Sequence, residues 1–359
     1  IRIEYSELRR LSVEILIKSG MNKEHAEIAS DVLLKADVRG VDTHGVSNML
    51  RNYVQYFNEG SANPRPNWKI TRETESCATV DSDKGLGVVV VPLCMEIAIE
   101  KAKKTGVGLV SIGNGRHLGM AAYHAMMALD HDMIGTCMTS STTNVVPTHA
   151  AIPGIGTNPI AVAAPALKKA PFVFDAATSA IATNKVRVAQ RIGVPLAPGW
   201  ITDEKGNPIM VDTPLKQSDD PNDVAGIMQT PVGATRELGS HKGFSLGMVV
   251  DILGSILNGS LAGPLRTFKA HQNHFVAAYS IDAFTELNKF KEMMDEYLQI
   301  LEDLPPVEGQ KRVLYAGLME EETTIERMEK GIPLHPEVVN WFKDICSCLL
   351  YTSDAADEE

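Results

Sequence analysis

Two prolines separated by a single residue, in the segment Asn63-Pro64-Arg65-Pro66-Asn67, interrupt the chain where its hydrophobic pattern changes. Each proline removes a backbone donor and restricts the residue before it, so neither a helix nor a central strand runs through such a segment. On the N-terminal side, apolar residues within 5–57 recur at helical spacing, and Asn22-Lys23-Glu24 offers a capping side chain ahead of an acidic first turn. On the other side, β-like runs alternate with helical ones: ATVDSD, a helix over about 89–104, GVGLVSIG, a helix over about 120–130, MIGTCMTS, NPIAVAAP and FVFDAA. The alternation predicts a sheet domain of α/β or α+β class. The stretch LKQSDDPND from 215 reads as a polar, exposed loop, and GFSLGMVVDILGSIL at 243–257 as a buried helix. After about residue 275 the pattern turns helical again, with a charged face over an apolar stripe in 280–301. The expected organisation is a helical domain built from both chain ends, 1–70 plus about 275–347, and a sheet domain at 71–274. The segment CLLYTSDAADEE at 348–359 reads as a translated adapter sequence and carries no weight in the argument.

Composition narrows the function classes. At 359 residues, 44% hydrophobic and 22% charged, the chain has the make-up of a globular protein of about two domains. A net charge of −11 repels phosphate backbones and anionic lipid, so neither nucleic acid nor a membrane surface is an expected partner. No apolar stretch reaches the roughly 18 residues of a membrane span, and a cytoplasmic location is expected. The five cysteines lack zinc spacing and read as buried thiols in a reducing compartment, and no metal site is expected.

Five short motifs could carry chemistry. Gly113-Asn114-Gly115-Arg116-His117-Leu118-Gly119 follows a strand and opens a helix, as a dinucleotide loop does, but its spacing is GxGxxxG and no matching acidic residue follows a second strand. A structural strand-to-helix turn explains it equally. Asp42-Thr43-His44-Gly45 places an imidazole among small and polar residues, suited to proton exchange near neutral pH or to a purely structural bond. Gly156-Thr157-Asn158-Pro159 and Phe174-Asp175-Ala176-Ala177-Thr178-Ser179 read as strand-end loops that leave backbone free for a ligand, or as a plain turn and an Asx cap. In Gly239-Ser240-His241-Lys242-Gly243 the lysine at a helix start could complement a phosphate, or simply be solvated.

Taken together, in this order and at these separations, RGVDTHGVSNMLRNYVQYF, GRHLGMAAYHA, GTNPIAVAAP, FDAATSAIA, PGWITDEKGNPI, GSHKGFSLGM and RVLYAG resemble the type-2 malate/L-lactate dehydrogenase family, over about residues 5–344. The family's relatives include ureidoglycolate and sulfolactate dehydrogenases, diketogulonate reductase and piperideine-carboxylate reductase. The resemblance implies a non-Rossmann, NAD(P)-binding mixed sheet, which removes the pyrophosphate reading of Gly113, Gly115 and Gly119. It implies a homodimer and hydride transfer between a nicotinamide and a 2-hydroxy or 2-keto acid, malate and oxaloacetate first.

By the same resemblance His44 is the acid/base, Asp175 holds its tautomer and stabilises the imidazolium, and His117 faces the substrate as the competing proton acceptor. Cofactor contacts map onto Ser141, Thr157 and Asn158, onto Asp175, Ala176, Ala177, Thr178, Ser179 and Ala180, onto His241 and Lys242, and onto Gly317, Leu318 and Met319. Thr43 joins the expected substrate contacts. Many members carry an arginine four residues after the histidine, suited to clamp a carboxylate, where this chain has Asn48; Arg51 and Arg116 are the nearby substitutes. The stretch THAAIPGI before GTNP also departs from its glycine-rich, charged counterpart. NAD is the expected coenzyme, with NADP the alternative. Two other readings stand beside this one: a reductase of a cyclic imine or sugar-derived keto acid on the same fold, and a cofactor-binding protein without turnover.

Overall fold

The computed structural model describes residues 1–215, 226–266 and 271–354, with side chains to residue 348. The polar loop expected from 215 onward lies, after Leu215, outside the described residues. The chain opens with strand β1 (Arg2–Ile3) and three helices, α1 (Tyr5–Lys18), α2 (Lys23–Val38) and α3 (Val46–Asn58). The Asn22 side chain accepts the His25 N–H at 2.8 Å, so α2 begins on the cap its sequence predicts. Beyond the proline segment come β2 (Lys69–Glu73), β3 (Cys77–Asp81), α4 (Gly87–Thr105), β4 (Val107–Gly115), α5 (Ala121–Met126) and β5 (Met133–Ser140). Then follow β6 (Thr143–Val145), β7 (Ile155–Gly156), β8 (Ile160–Ala164), β9 (Phe172–Ala176), α6 (Thr183–Ile192) and α7 (Ser240–Gly254). The chain closes with β10 (Gln272–Ser280), α8 (Leu287–Glu302), α9 (Leu318–Lys330), β11 (Ile332–Pro333) and α10 (Pro336–Asp354).

Seven strands form one mixed sheet in the order β2-β3-β4-β10-β5-β8-β9, in which β3 and β4 are parallel and the other pairs antiparallel. This is not a doubly wound parallel sheet, and the glycines of the GxGxxxG motif show why. Gly113 and Gly115 belong to β4 itself, and a Cβ on Gly115 would come within 2.8 Å of the Gln272 carbonyl oxygen of β10. Gly115 thus admits a neighbouring strand, and Gly113 the side chains of Asn258 and Ser260, rather than a pyrophosphate.

Two large cores follow the sequence pattern. One joins the sheet to α4 and α5 through Val90, Met95, Val110, Ile112, Cys137 and Val276. The other gathers α1, α2 and α3 with Ile332, Leu334, Val338 and Phe342 from the far end of the chain, where β1 pairs with β11.

Two expectations need correction. The helical pattern expected from about residue 275 starts at Leu287, because residues 272–280 form β10 at the centre of the sheet; six consecutive buried residues, Asn273 to Ala278, conceal the period-2 alternation that marks a one-faced strand. The apolar helix at 243–257 is not buried throughout. Gly243, Gly247, Val250 and Gly254 of α7 face inward, whereas Leu246, Met248, Val249 and Ile252 stay exposed in the single chain, together with Ile256 and Leu257 beyond it.

Candidate active site

The turn between α2 and α3 is built around a buried carboxylate. Asp37 lies in the last turn of α2, and its Oδ2 accepts the Val46 N–H at 2.8 Å, capping α3 from outside that helix. Burial pushes the Asp37 carboxyl up to about 8. The cap sets the position of the intervening residues, and the His44 N–H closes a turn onto the Val41 carbonyl at 2.9 Å. Thr43 Oγ1 lies 2.8 Å from His44 Nδ1.

The second histidine comes from the loop after β4. His117 Nδ1 accepts the Gly119 N–H at 3.1 Å, which makes Nε2 the protonated nitrogen of the neutral ring, and the Tyr53 hydroxyl of α3 lies 2.9 Å from the same Nδ1. The two imidazoles stack with centroids 5.6 Å apart and planes 15° from parallel. Burial lowers His44 to about 4. It also carries His117 well below its ordinary value, with His44, His274 and Arg187 adding to the depression. Both rings are therefore neutral at pH 7, poised as hydrogen-bonding groups and as bases.

Two clefts meet at His44, and His117 lines the smaller of them. The smaller, about 280 Å³, is lined by His44, His117, Asn52, Tyr56, Asn184 and Arg187 among others, and Arg187 is the one formally charged side chain among its described lining residues. The larger, about 690 Å³, has walls of small residues, among them Ala121, Ala122, Ala176, Ala177, Ala180, Ala316 and Gly317. Both include His44, Gly119, Thr157, Pro159 and Ala182, so His44 stands where a molecule in one cleft would meet a molecule in the other. The larger volume falls within the roughly 300–1,000 Å³ of small-molecule sites.

The sequence profile described as malate/L-lactate dehydrogenase matches residues 3–343. The malate dehydrogenase of Pyrococcus abyssi is 37% identical over 350 residues, covering 96% of this chain and 94% of that protein. The chain belongs to the malate/L-lactate dehydrogenase family. The L-sulfolactate dehydrogenase of Methanocaldococcus jannaschii is 30% identical over 344 residues, 94% of each protein. The crystal structure of malate dehydrogenase from Entamoeba histolytica superposes with a TM-score of 0.90 at 30% identity, covering 97% of this chain and 98% of that one. The protein is thus a malate dehydrogenase-like oxidoreductase, of a family that uses a nicotinamide cofactor and a small-molecule substrate. Among the described residues no helix is long and apolar enough to cross a membrane, and no three His, Cys, Asp or Glu side chains are grouped to hold a metal ion.

For this family member the structure gathers some of the expected site residues and disperses others. His44 and His117 come together, and Thr43, Thr157, Asp175, Ala176, Ala177, Ser179, Ala180 and Gly317 line the larger cleft. Ser141 lines the smaller one, where its hydroxyl lies 3.0 Å from that of Thr157. Asn158 is fully buried at φ +38°, accepting the Ser141 N–H and donating to the Gly247 carbonyl, so it shapes the loop from behind. Thr178 is also buried, donating to the Thr157 carbonyl at 3.1 Å. His241 and Lys242 open α7 outside both clefts, and Leu318 and Met319 follow Gly317 into α9 without lining either.

The expected pairing of His44 with Asp175 is not made. Asp175 Oδ2 instead accepts the Ala122 N–H at 2.7 Å in the first turn of α5, and Thr43 is the partner at His44 Nδ1. The expected arginines are also engaged elsewhere. Arg51 turns outward to Glu337 at 2.5 Å and stacks over Trp341, because α10 packs beside α3 at that point. Arg116 is almost fully buried, with Nε donating to the Ser61 carbonyl and Nη1 to the Gly115 carbonyl. Asn48, also buried, donates to the Asp42 carbonyl and accepts from Arg191, so it supports the turn rather than facing a cleft. Sequence reasoning missed Tyr53 and Arg187. Tyr53 sits in the resemblance segment at helical spacing from Met49 and reads there as core; Arg187 lies on α6, where nothing in the local sequence marks it.

Proposed function

We propose that this protein interconverts a 2-hydroxy acid and its 2-keto acid, malate and oxaloacetate first, with NAD as coenzyme. The observation that carries the reading is the stacked, neutral His44–His117 pair at the meeting of a small cleft holding Arg187 and a larger one walled by small residues. A nicotinamide bound in the larger cleft supplies or receives the hydride. The residues present fit that group: Ala176, Ala177, Ala180 and Gly317 permit close approach of a flat ring and a sugar, and Lys185 and Arg39 supply positive charge on the same walls. Glu320 and Asp175 lie on those walls as well and disfavour a third phosphate, which supports NAD over NADP.

The proton moves at His44. With Nδ1–H donated to Thr43 Oγ1, the lone pair of Nε2 is left to take the hydroxyl proton of the 2-hydroxy acid and to return it in the reverse reaction. His117, held at Nδ1 by Gly119 and Tyr53, presents Nε2–H as a donor to the substrate oxygen. The mostly apolar exposed face of α7, Leu246, Met248, Val249 and Ile252, supports a homodimer in which a second copy covers it. Buried free thiols at Cys94 and Cys137 suit a cytoplasmic, reducing setting.

The test is nicotinamide absorbance with NADH and NADPH separately, against oxaloacetate, pyruvate, the keto form of sulfolactate and a cyclic imine. Turnover of oxaloacetate with NADH preferred is the expected result. Binding of NADH without turnover of any of them refutes the reading and leaves a cofactor-binding protein. The His44→Ala variant should lose at least 100-fold in kcat; near-normal turnover would transfer the proton to His117.

A further inference from the structure

We propose that Arg187 is the residue that receives the substrate's carboxylate and so determines which keto acids this protein accepts. The inference rests on the hydroxyacid reading of the same site.

A carboxylate entering the smaller cleft meets one cation. The described lining of that cleft holds no acid and no lysine, and its two histidines are neutral, so the guanidinium of Arg187 sets the sign of the local potential. The charge of Arg187 acts on both neighbouring rings, adding to the depression that burial imposes on His117 and opposing the rise that burial imposes on Tyr56, which places it close to both. Arg51, Arg116 and Arg191, the other arginines near the histidines, do not line this cleft. Arg51 and Arg191 share Glu337, Arg191 also reaches Asn48 and the Ser47 carbonyl, and Arg116 donates to two backbone carbonyls.

The frame that carries Arg187 is tied to the catalytic turn. Its Nη1 donates to Asn184 Oδ1 at 2.8 Å, and Asn184 Nδ2 donates in turn to the Thr43 carbonyl at 2.7 Å. A carboxylate seated on the guanidinium would thus be fixed relative to His44 through one asparagine. The start of α6 lines the same cleft with Ala182, Thr183 and Asn184, and its N-cap has no side-chain bond, so the first-turn N–H groups and the positive end of the helix dipole favour an anion there. Thr183 Oγ1 already accepts from Asn144 and Gln229, which leaves its proton as what that hydroxyl can offer. At about 280 Å³ the cleft suits an acid of a few carbons. Planar fork geometry matches a carboxylate bidentately, which a lysine at the same place would not reproduce.

The experiment compares wild type with Arg187→Gln and Arg187→Lys in the full chain, with two readouts. The first is the KM for oxaloacetate with NADH; the second is calorimetric binding of malonate, an unreactive dicarboxylate, to the NADH-loaded protein. Arg187→Gln should raise the oxaloacetate KM and the malonate Kd by on the order of 100-fold, and leave NADH binding within about threefold. Arg187→Lys should recover only part of that loss, remaining about tenfold or more weaker than wild type. Malonate binding within threefold of wild type in a folded Arg187→Gln protein overturns the assignment, as does absence of malonate binding to wild type. Should Arg187→Gln fail to fold, Arg187→Lys decides: undiminished malonate affinity overturns the assignment. A wild type that binds malonate through Arg187 but reduces no keto acid sinks the dehydrogenase reading and leaves the carboxylate site standing.

Discussion

Replacing Gly45 by alanine should damage both stability and turnover, and the structure shows how. Gly45 caps α3 with φ −86° and ψ −169°, a conformation open to any residue, so backbone strain is not the issue. The constraint is the carboxylate beside it: a Cβ on Gly45 would overlap Asp37, standing only 2.6 Å from even the farther of its two oxygens. Asp37 is 1% exposed, so any shift of its side chain must displace packed neighbours. Moving it breaks the bond from the Val46 N–H, a cap worth about 1 kcal/mol. The buried donor then left unpaired costs roughly a further 1–3 kcal/mol. The expected loss is about 2–4 kcal/mol, read as a fall in the urea midpoint at unchanged m-value. His44 is the preceding residue, so a displacement of about 1 Å should also cost on the order of 100-fold in kcat/KM. A Gly45→Ala protein with the wild-type midpoint and turnover would refute the claim that the Asp37 carboxylate positions the catalytic turn.

The same carboxylate gives a pH prediction. Its folded value, about 8, lies above the ordinary value of 3.8, so Asp37 contributes stability that is fully present below pH 4 and is lost as pH rises through about 8. Asp37→Asn keeps an acceptor for Val46 and removes the titration; its melting temperature relative to wild type should climb between about pH 5 and pH 8, and a constant difference would contradict the buried-acid account. For the subunit contact, Ile252→Glu puts a charge on the exposed apolar face of α7 and should shift sedimentation from dimer to monomer, whereas a wild type that sediments as a monomer removes the proposed interface.

The parts of this fold that were legible in the sequence are those with a strong local signal. The proline segment, the Asn22 cap and the alternation of β4, α5 and β5 all use backbone chemistry that a few neighbouring residues determine. What escaped was decided by distant packing. Strand β10 enters the sheet centre between β4 and β5 from more than 130 residues along the chain, and its buried run carries no period to read. Helix α7 is apolar on most sides, so its sequence could not say which face the sheet takes and which it leaves. The site divides in the same way. His44 stood out as an imidazole in a small-residue setting and His117 through the resemblance, and the structure stacks the two rings. Arg51 and Arg116 were near in sequence but not in direction, since α10 draws one outward and backbone carbonyls hold the other inward. Arg187 reaches the cleft from α6, bonded to Asn184, which in turn reaches back 141 residues to the Thr43 carbonyl, so no local pattern marks it.

The partner of His44 is the point at which motif and geometry disagree, and the disagreement can be measured. Were Asp175 to hold the His44 tautomer, its amide variant would leave the ring in the wrong protonation state and cost several orders of magnitude in kcat. The structure instead engages Asp175 with Ala122 N–H and places Thr43 at His44 Nδ1. Burial raises the Asp175 carboxyl to about 6, so it is still mostly ionised at pH 7, and the Ala122 N–H is the donor that stabilises that charge. Asp175→Asn, which retains an oxygen for Ala122, should therefore leave the pH dependence of kcat/KM for alcohol oxidation where His44 sets it. Thr43→Val, nearly the same in shape, removes the acceptor at Nδ1 and should lower kcat by about tenfold, with KM little changed. The pH profile of kcat/KM reports the ionisation of the free enzyme and so reads the site described above. If Asp175→Asn moves that profile and Thr43→Val does not, the imidazole is governed by the carboxylate, and the hydrogen bond to Thr43 is incidental.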